Sequence, residues 1–484
     1  MNRELKRVTI VALLMFLTLF VATTVIQYVQ SENLAADPRN ARTLYESYSV
    51  ERGPILVGGE PIAYSEPSDD DYKFQRIYAN GPLYAPITGF IPVNGEATGL
   101  ELSLNAELSG QSESQFFDSL NRLISGQDPM GASVEVAIDP VAQQAAWDAL
   151  GDYTGAVIVT EPASGRILAM VTKPTYDPNT LAVHDGQQVE ETYQALVEDP
   201  ADPLFNRATG GDMNPPGSVF KLVMTAAALE SGRYTPDSTF PNPAEFTLPG
   251  TSSIVRNSSG GTCGGGSEVT LATALRLSCN IPFAELALEL GDDAIRAQAE
   301  KFGFNSDFTT PNSTETSTYP ADPDEPQTAL TGFGQGEVRA TPLQMAMVSA
   351  AIANDGIVMN PDLVDAITAP DFRTIEEFAP SEFGRAISAE TARTMTEMMV
   401  QGVENGAASN ARIDGVSVAG KTGTAENGED DPYTLWFTGF APADDPQYAI
   451  TVLVEDGGGL GQEGFGNGVA APVAKKVLEA VLNK

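Results

Sequence analysis

The sequence predicts an α+β protein built on an antiparallel sheet, preceded by an extended β-rich module and one apolar N-terminal helix. Three observations carry that expectation. Strand-like alternation at both ends of the C-terminal two-thirds brackets a helical middle. The stretch from about 48 to 130 breaks into short strand-like runs. Val8 to Ile26 carries no charge. The expected layout is a tail at 1–7, an anchor at 8–28, an N-terminal module at 29–150 and a larger domain at 151–484. The chain of 484 residues, 42% of them hydrophobic, is long enough for real cores.

The N-terminus sets the compartment. Arg3, Lys6 and Arg7 precede an apolar run close to the ~20 residues that cross a bilayer as a helix. The basic flank belongs on the cytoplasmic side, which places everything after roughly residue 30 outside the membrane. A cleaved secretory signal is the alternative. The run is long for a signal core, and no Ala-x-Ala site follows it. With 27 basic and 65 acidic residues the net charge is −38. That excludes nucleic acid as a partner, because phosphate binding needs basic stripes. Solubility accounts for the acidity, and steering of substrate is the alternative.

A polar tract, Ser31 to Tyr48, leads into Gly53-Pro54-Ile55-Leu56-Val57 and Ala85-Pro86-Ile87-Thr88-Gly89-Phe90, both read as strand-like. Val134 to Ile138 alternates as a half-buried strand. Asp139-Pro140 is an N-cap followed by a first helical proline, and it starts a helix to about Leu150. Ala156–Val159 and Ile167–Val171 form a hairpin around Pro162-Ala163-Ser164-Gly165. Helices are expected at Val219–Ser231, Leu271–Leu277, Pro282–Leu290, Pro342–Asn354 and Ala389–Gly402, with Met395, Met398 and Met399 as a core stripe. Strands follow at Val416–Thr424, Leu435–Phe440 and Tyr448–Glu455, then a glycine-rich mobile loop, Gly457 to Gly468. A helix from Ala471 to Leu482 ends the chain.

Candidate chemistry lies in three motifs. Ser218 and Lys221, in Pro215-Pro216-Gly217-Ser218-Val219-Phe220-Lys221, share a helix face at i and i+3. The chain has one histidine, His184, so a desolvated lysine is the natural base for a serine nucleophile. At a helix N-terminus, Ser218 would meet free N–H groups that favour developing negative charge. Ser278-Cys279-Asn280 offers a hydroxyl for proton relay and an amide to hold the lysine head. Lys421-Thr422-Gly423-Thr424 offers cationic and hydroxyl partners for a carboxylate, and Gly423 leaves room for a substrate backbone. The N–H groups of Ser218 and Thr424 could form an oxyanion hole. Each motif alone is weak. In this order the triple resembles the S-x-x-K, S-D-N, K-T-G set of penicillin-binding proteins and class A β-lactamases.

Cys263 and Cys279 both lie in the exported part. A bridge would close a loop worth about 3 kcal/mol and would tie Ser-Cys-Asn to the glycine-rich Ser258–Gly266 stretch. Two buried free thiols are the alternative.

The chain resembles the class B penicillin-binding proteins, membrane-anchored serine D,D-transpeptidases of bacterial wall synthesis. Beyond the triple, the resemblance rests on Arg52-Gly53-Pro54-Ile55 and on Pro38-Arg39-Asn40-x-Arg42 before it. It continues through Gly165 to Met170, Tyr176-Asp177-Pro178-Asn179, Asn206-Arg207-Ala208, Gly334-Gln335-Gly336, Thr341-Pro342-Leu343-Gln344 and Trp436 to Pro442. One departure is Tyr433-Thr434-Leu435, where the family often has histidine or a similar polar residue just before Trp436. The segment of about 120 residues before the larger domain is too short for a glycosyltransferase, and this short form most resembles the penicillin-binding protein A branch.

The resemblance implies a penicillin-binding, β-lactamase-like transpeptidase domain. Ser218, Lys221, Ser278 and Asn280 would be catalytic, and Lys421, Thr422, Gly423 and Thr424 would bind substrate. The substrates implied are peptidoglycan stem peptides, with β-lactams as covalent inhibitors, and neither metal nor organic cofactor. The partner implied is a SEDS-type membrane glycan polymerase or other divisome proteins. A membrane-anchored β-lactamase or β-lactam sensor, and a scaffold of a division complex, are the rival readings. The acidic Glu426–Asp431 stretch would overhang the cleft or form a solvated hairpin tip.

Overall fold

The computed structural model describes residues 2–26, 50–115, 122, 125, 126, 130–211, 213–258, 260–308 and 310–483. The Pro38 to Arg42 motif and the whole Ser31 to Tyr48 polar tract lie outside them. Asn2–Thr24 is one helix, and its Leu5–Thr24 portion has a mean hydropathy of 2.1 over 20 residues, long and apolar enough to cross a membrane. Thr9, Thr18, Thr23 and Thr24 donate their hydroxyls to carbonyls one turn back at 2.7–2.9 Å, which removes free polar hydrogens from its surface.

The central element of the larger domain is a five-stranded antiparallel sheet. Its order is Ala419–Ala425, Thr434–Ala441, Tyr448–Val454, Gly155–Thr160 and Ile167–Lys173. Both faces are covered, so these strands are buried along nearly their whole length. Ala156 and Ile158 face one core with the buried Pro342–Ala353 helix. Val157 and Val159 face a second core made with Pro140–Leu150 and Ala470–Leu482. Asp139 caps the Pro140 helix through the Val141 and Ala142 N–H groups at 2.9 Å. That helix packs on the larger domain's sheet, and Gln143 Nε2 also donates to Leu83 O of the N-terminal module at 2.9 Å. Met395, Met398 and Met399 are core residues.

The N-terminal module is mixed. Ala85–Phe90, expected as strand, falls largely in a helix, Gly81–Thr88, and short helices follow at Gly99–Ser103 and Asn105–Leu108. A short apolar run gives no period that separates strand from buried helix, and here the Gly81–Thr88 helix is buried almost throughout. The module's sheet is completed from far away. Its order is Thr374–Glu377, Val364–Thr368, Ser133–Val136, Ile55–Val57, Glu60–Pro67 and Phe74–Tyr78, and Ile55–Val57 pairs in parallel with Ser133–Val136. Asn179, from the Tyr176–Asn179 motif, exchanges two 2.9 Å bonds with the Tyr78 backbone and pins this sheet to the larger domain.

Arg52 of the Arg-Gly-x-Ile motif is buried beside Glu101. Its Nε lies 2.5 Å from one Glu101 oxygen, and Arg76 Nε lies 2.7 Å from the other. Tyr78 adds its hydroxyl at 3.2 Å. Burial pushes the Glu101 carboxyl up, and the Arg76 and Arg52 charges outweigh it, so the group sits below its ordinary range. Glu101→Ala leaves two guanidinium groups buried without a counter-charge, and should cost about 3–5 kcal/mol in a urea unfolding titration.

Candidate active site

Ser218 sits in a single 3-10 turn, Gly217–Phe220, that runs straight into the Lys221–Glu230 helix. The first N–H groups of such a helix have no intrahelical acceptor, so the Ser218 N–H is placed to bind an anion. Gly217 takes φ +53°, and Gly334, at φ +73°, lies so close that a Cβ there would stand 2.0 Å from the Gly217 carbonyl. The Gly217 N–H donates to Gly334 O at 2.9 Å. This contact is where Gly334-Gln335-Gly336 meets the nucleophile turn.

Lys221 is fully buried. Its Nζ lies 2.9 Å from Ser218 Oγ, 2.9 Å from Ser278 O, 2.8 Å from Asn280 Oδ1 and 3.4 Å from Ser278 Oγ. Every one of these partners is a neutral oxygen. Burial, and then the charge of Lys421, holds the amine well below the ordinary lysine range. The geometry fits a neutral amine. Ser278 O and Asn280 Oδ1 can only accept, so they take its two N–H groups, and the lone pair is left facing the Ser218 hydroxyl. His184 is elsewhere, with Nδ1 2.5 Å from Asp70 Oδ2.

Ser278 ends the Leu271–Leu277 helix in a left-handed conformation, φ +61° and ψ +39°. That backbone state costs a non-glycine residue about 1–3 kcal/mol, and it turns Ser278 back toward Lys221. Asn280 Nδ2 donates to Arg256 O at 2.9 Å, while the Asn280 and Ile281 N–H groups donate to Asn257 Oδ1 at 2.9 and 3.2 Å. Cys263 and Cys279 form a disulfide with a Cα–Cα distance of 5.8 Å. The bridge ties the residue between Ser278 and Asn280 to the glycine-rich loop. Asn242 grips the same loop through Cys263 N at 2.8 Å and Cys263 O at 2.9 Å. Neither Asn242 nor Asn257 was legible in the sequence, because an isolated asparagine carries no spacing.

The third motif lies on Ala419–Ala425, the edge strand of the five-stranded sheet. Lys421 is buried, with Nζ 2.7 Å from Ser278 Oγ and 2.8 Å from Thr422 O, and burial brings its amine down to about 7. Thr424 Oγ1 accepts from the Gly466 N–H at 3.1 Å, which leaves its own hydrogen to give. Thr422 and Gly423 also make contacts within the fold. The Thr422 hydroxyl hydrogen goes to Ala407 O at 2.9 Å. Gly423 makes room for the protein itself: a Cβ would stand 2.9 Å from Pro216 O, 3.1 Å from Trp436 Cβ and 3.3 Å from Val219 Cγ1. Trp436 is buried behind it and donates Nε1–H to Pro215 O at 3.0 Å.

The Gly457–Gly468 stretch, expected as a mobile loop, folds into two 3-10 turns, Asp456–Gly459 and Gly461–Glu463. It packs so closely that a Cβ on Gly466 would lie 2.3 Å from Gly423 O. Gln462 Nε2 donates to Glu429 O and Asp431 O at 2.8 and 3.0 Å, which straps the exposed Glu426–Asp431 hairpin tip to this loop.

The sequence profile of the penicillin binding protein transpeptidase domain matches residues 155–479. The chain belongs to that family. The profile of the penicillin binding protein A dimerisation domain matches residues 52–134. Among relatives of this penicillin-binding chain, peptidoglycan D,D-transpeptidase PbpA of Mycolicibacterium smegmatis is 40% identical over 493 residues, covering all of both chains. PbpA of Mycobacterium tuberculosis is 39% identical, covering 100% of this chain and 99% of its own. The solved structure of penicillin-binding protein A from M. tuberculosis as a ceftriaxone acyl-enzyme complex superposes with a TM-score of 0.87 at 38% identity, covering 90% of this chain and 100% of that one. Gly423→Ala should push the Lys421 strand away from the Ser218 turn and slow penicillin acylation about tenfold or more in a stopped-flow assay, with the fold retained.

Proposed function

We propose that this chain is a monofunctional class B peptidoglycan D,D-transpeptidase that works through an acyl-enzyme on Ser218. The observation that carries the reading is the buried Lys221 amine, 2.9 Å from Ser218 Oγ and bonded only to neutral oxygens. The full-length relatives named peptidoglycan D,D-transpeptidase, and the solved relatives held as β-lactam acyl-enzymes, support it.

Lys221 takes the Ser218 proton as Oγ attacks the carbonyl of the penultimate D-Ala of a stem peptide. The oxyanion is met by the N–H groups of Ser218 and Thr424. The C–N bond breaks, and the departing D-Ala amine receives its proton through the Ser278 hydroxyl, which touches both lysines. An acceptor amine from a neighbouring stem then attacks the ester, forms the cross-link and frees Ser218. Lys421 and Thr424 hold the terminal carboxylate. A β-lactam follows the same first step, but its leaving nitrogen stays tethered, so the ester persists.

The N-terminal helix is the membrane anchor, with the basic tail inside and the catalytic domain outside. A SEDS-type glycan polymerase or another divisome protein is its partner there, supported by the shared substrate and the anchor.

Ser218→Ala should abolish covalent labelling by a fluorescent penicillin; surviving label would remove the nucleophile assignment. Wild-type acyl-enzyme should last minutes to hours, whereas fast turnover would make the protein a β-lactamase. The pH dependence follows from Lys221. As a base it must be unprotonated, so acylation falls as pH falls and the amine takes a proton. Lys421, when charged, disfavours that second proton. Lys421→Met therefore lets Lys221 hold its proton to higher pH, and the acid limb of the acylation profile moves upward, besides any loss of amplitude.

A further inference from the structure

We infer that the junction between the two modules carries a binding site for a neutral sugar ring bearing an acetamide group, separate from the Ser218 cleft. A cavity of about 290 Å³ opens there, walled by the Gly81–Thr88 helix, the segment after Ile167–Lys173, and residues 203–209. That volume is at the small end for ligand pockets and suits one pyranose ring.

Its lining is part aliphatic, from Ala85, Pro86 and Leu204 among others, and holds two further kinds of group. Tyr176, Tyr193 and Phe205 give aromatic faces, and Tyr193 and Phe205 stand at the rim, 40% and 39% exposed. Large aromatic side chains left this exposed side by side on one cavity are a surface for the C–H face of a sugar. The polar lining groups are hydroxyls and the amides of Asn206 and Asn312. Among the described residues lining the cavity there is no charged side chain, so phosphates, carboxylates and ammonium ligands find no counter-charge.

Two polar atoms on this wall are buried and have no hydrogen-bond partner, Asn312 Oδ1 and Thr175 Oγ1. Asn312 is 5% exposed, and its Nδ2 already faces the Pro86 and Ile87 carbonyls at 3.4 and 3.3 Å, so rotating the amide would only set oxygen against oxygen. Both atoms are shut off from solvent, so the N–H and O–H groups of an acetamido sugar reach them only when the Asn312 and Thr175 side chains turn toward the cavity. The wall is also connected to the cleft. Asn206 lines the cavity, and the next residue, Arg207, holds Glu455 at 3.0 Å, whose other oxygen takes Asn214 Nδ2 at 3.3 Å, four residues before Ser218.

The source of the sugar, a wall glycan strand or a free saccharide, is what the arms of the test separate; the glycan assignment alone rests on the transpeptidase reading. The full chain in detergent micelles is titrated with the peptide-free β-1,4 tetramer of N-acetylglucosamine, followed by saturation-transfer NMR. Saturable binding is expected, unchanged after Ser218 has been acylated by penicillin, with no binding of maltotetraose, which lacks acetamide groups. Tyr193→Ala and Phe205→Ala should each weaken it about tenfold while the penicillin acylation rate stays at wild type. A tetramer bound more tightly than the monosaccharide assigns the site to a glycan strand; equal affinities assign it to a free sugar. Absence of saturable binding, equal binding of maltotetraose, loss of binding on acylation, or variants that bind as wild type would overturn the proposal. Penicillin labelling of Ser218 judges the transpeptidase reading independently.

Discussion

The site depends on one buried amine that has no counter-charge. An ammonium group taken out of water costs several kcal/mol unless a carboxylate meets it, and the group gives up its proton instead. Lys221 is fully buried and faces only hydroxyl, carbonyl and amide oxygens. The desolvation that penalises its charged form also favours the neutral amine that a base requires. A carboxylate at hydrogen-bond distance would stabilise the fold locally and keep the lysine protonated.

Much of the surrounding fold serves to hold those neutral oxygens still. The Ser218 turn is clamped between Gly334 and Gly423, two places where a methyl group would collide with backbone. Ser278 is held in a left-handed state at a helix end, with the Cys263–Cys279 bridge at its neighbour and Asn257 fixing the next helix start. Lys421 comes from an edge strand, where alternate backbone groups face outward with no partner strand, so the same strand can present N–H groups to a ligand. The glycine-rich loop after Tyr448–Val454 backs that strand from outside through Gly466. Two layers of helices bury the sheet on both faces, which gives the edge a rigid support.

The chemistry-bearing residues were legible because each sits in a short motif of fixed spacing. Ser218 and Lys221 share a helix face by arithmetic, and the order of the three motifs carried the family. The five strands and the helices of the larger domain were legible from period and caps, Asp139-Pro140 among them. Other readings failed where the local pattern is ambiguous. Gly81–Thr88 is a helix because its apolar residues are buried on nearly every side. Gly457–Gly468 looked unstructured by composition, yet its glycines are there for close backbone packing. Thr422 and Gly423, assigned to a ligand from the motif, also make contacts within the fold that the motif does not reveal.

The sequence by itself determined which groups could do chemistry, that an N-terminal segment is long and apolar enough to cross a membrane, and that, with His184 the one histidine, a lysine is the expected base. These are properties of residue identity and local spacing, which survive without any long-range contact. The tertiary structure decided the protonation of Lys221, the partners of Thr422 and Gly423, the completion of the N-terminal sheet by Val364–Glu377, and the junction cavity beside Tyr193 and Phe205. Each of those depends on burial or on pairing between segments far apart in the chain, and desolvation has no signature until the chain has closed around the group.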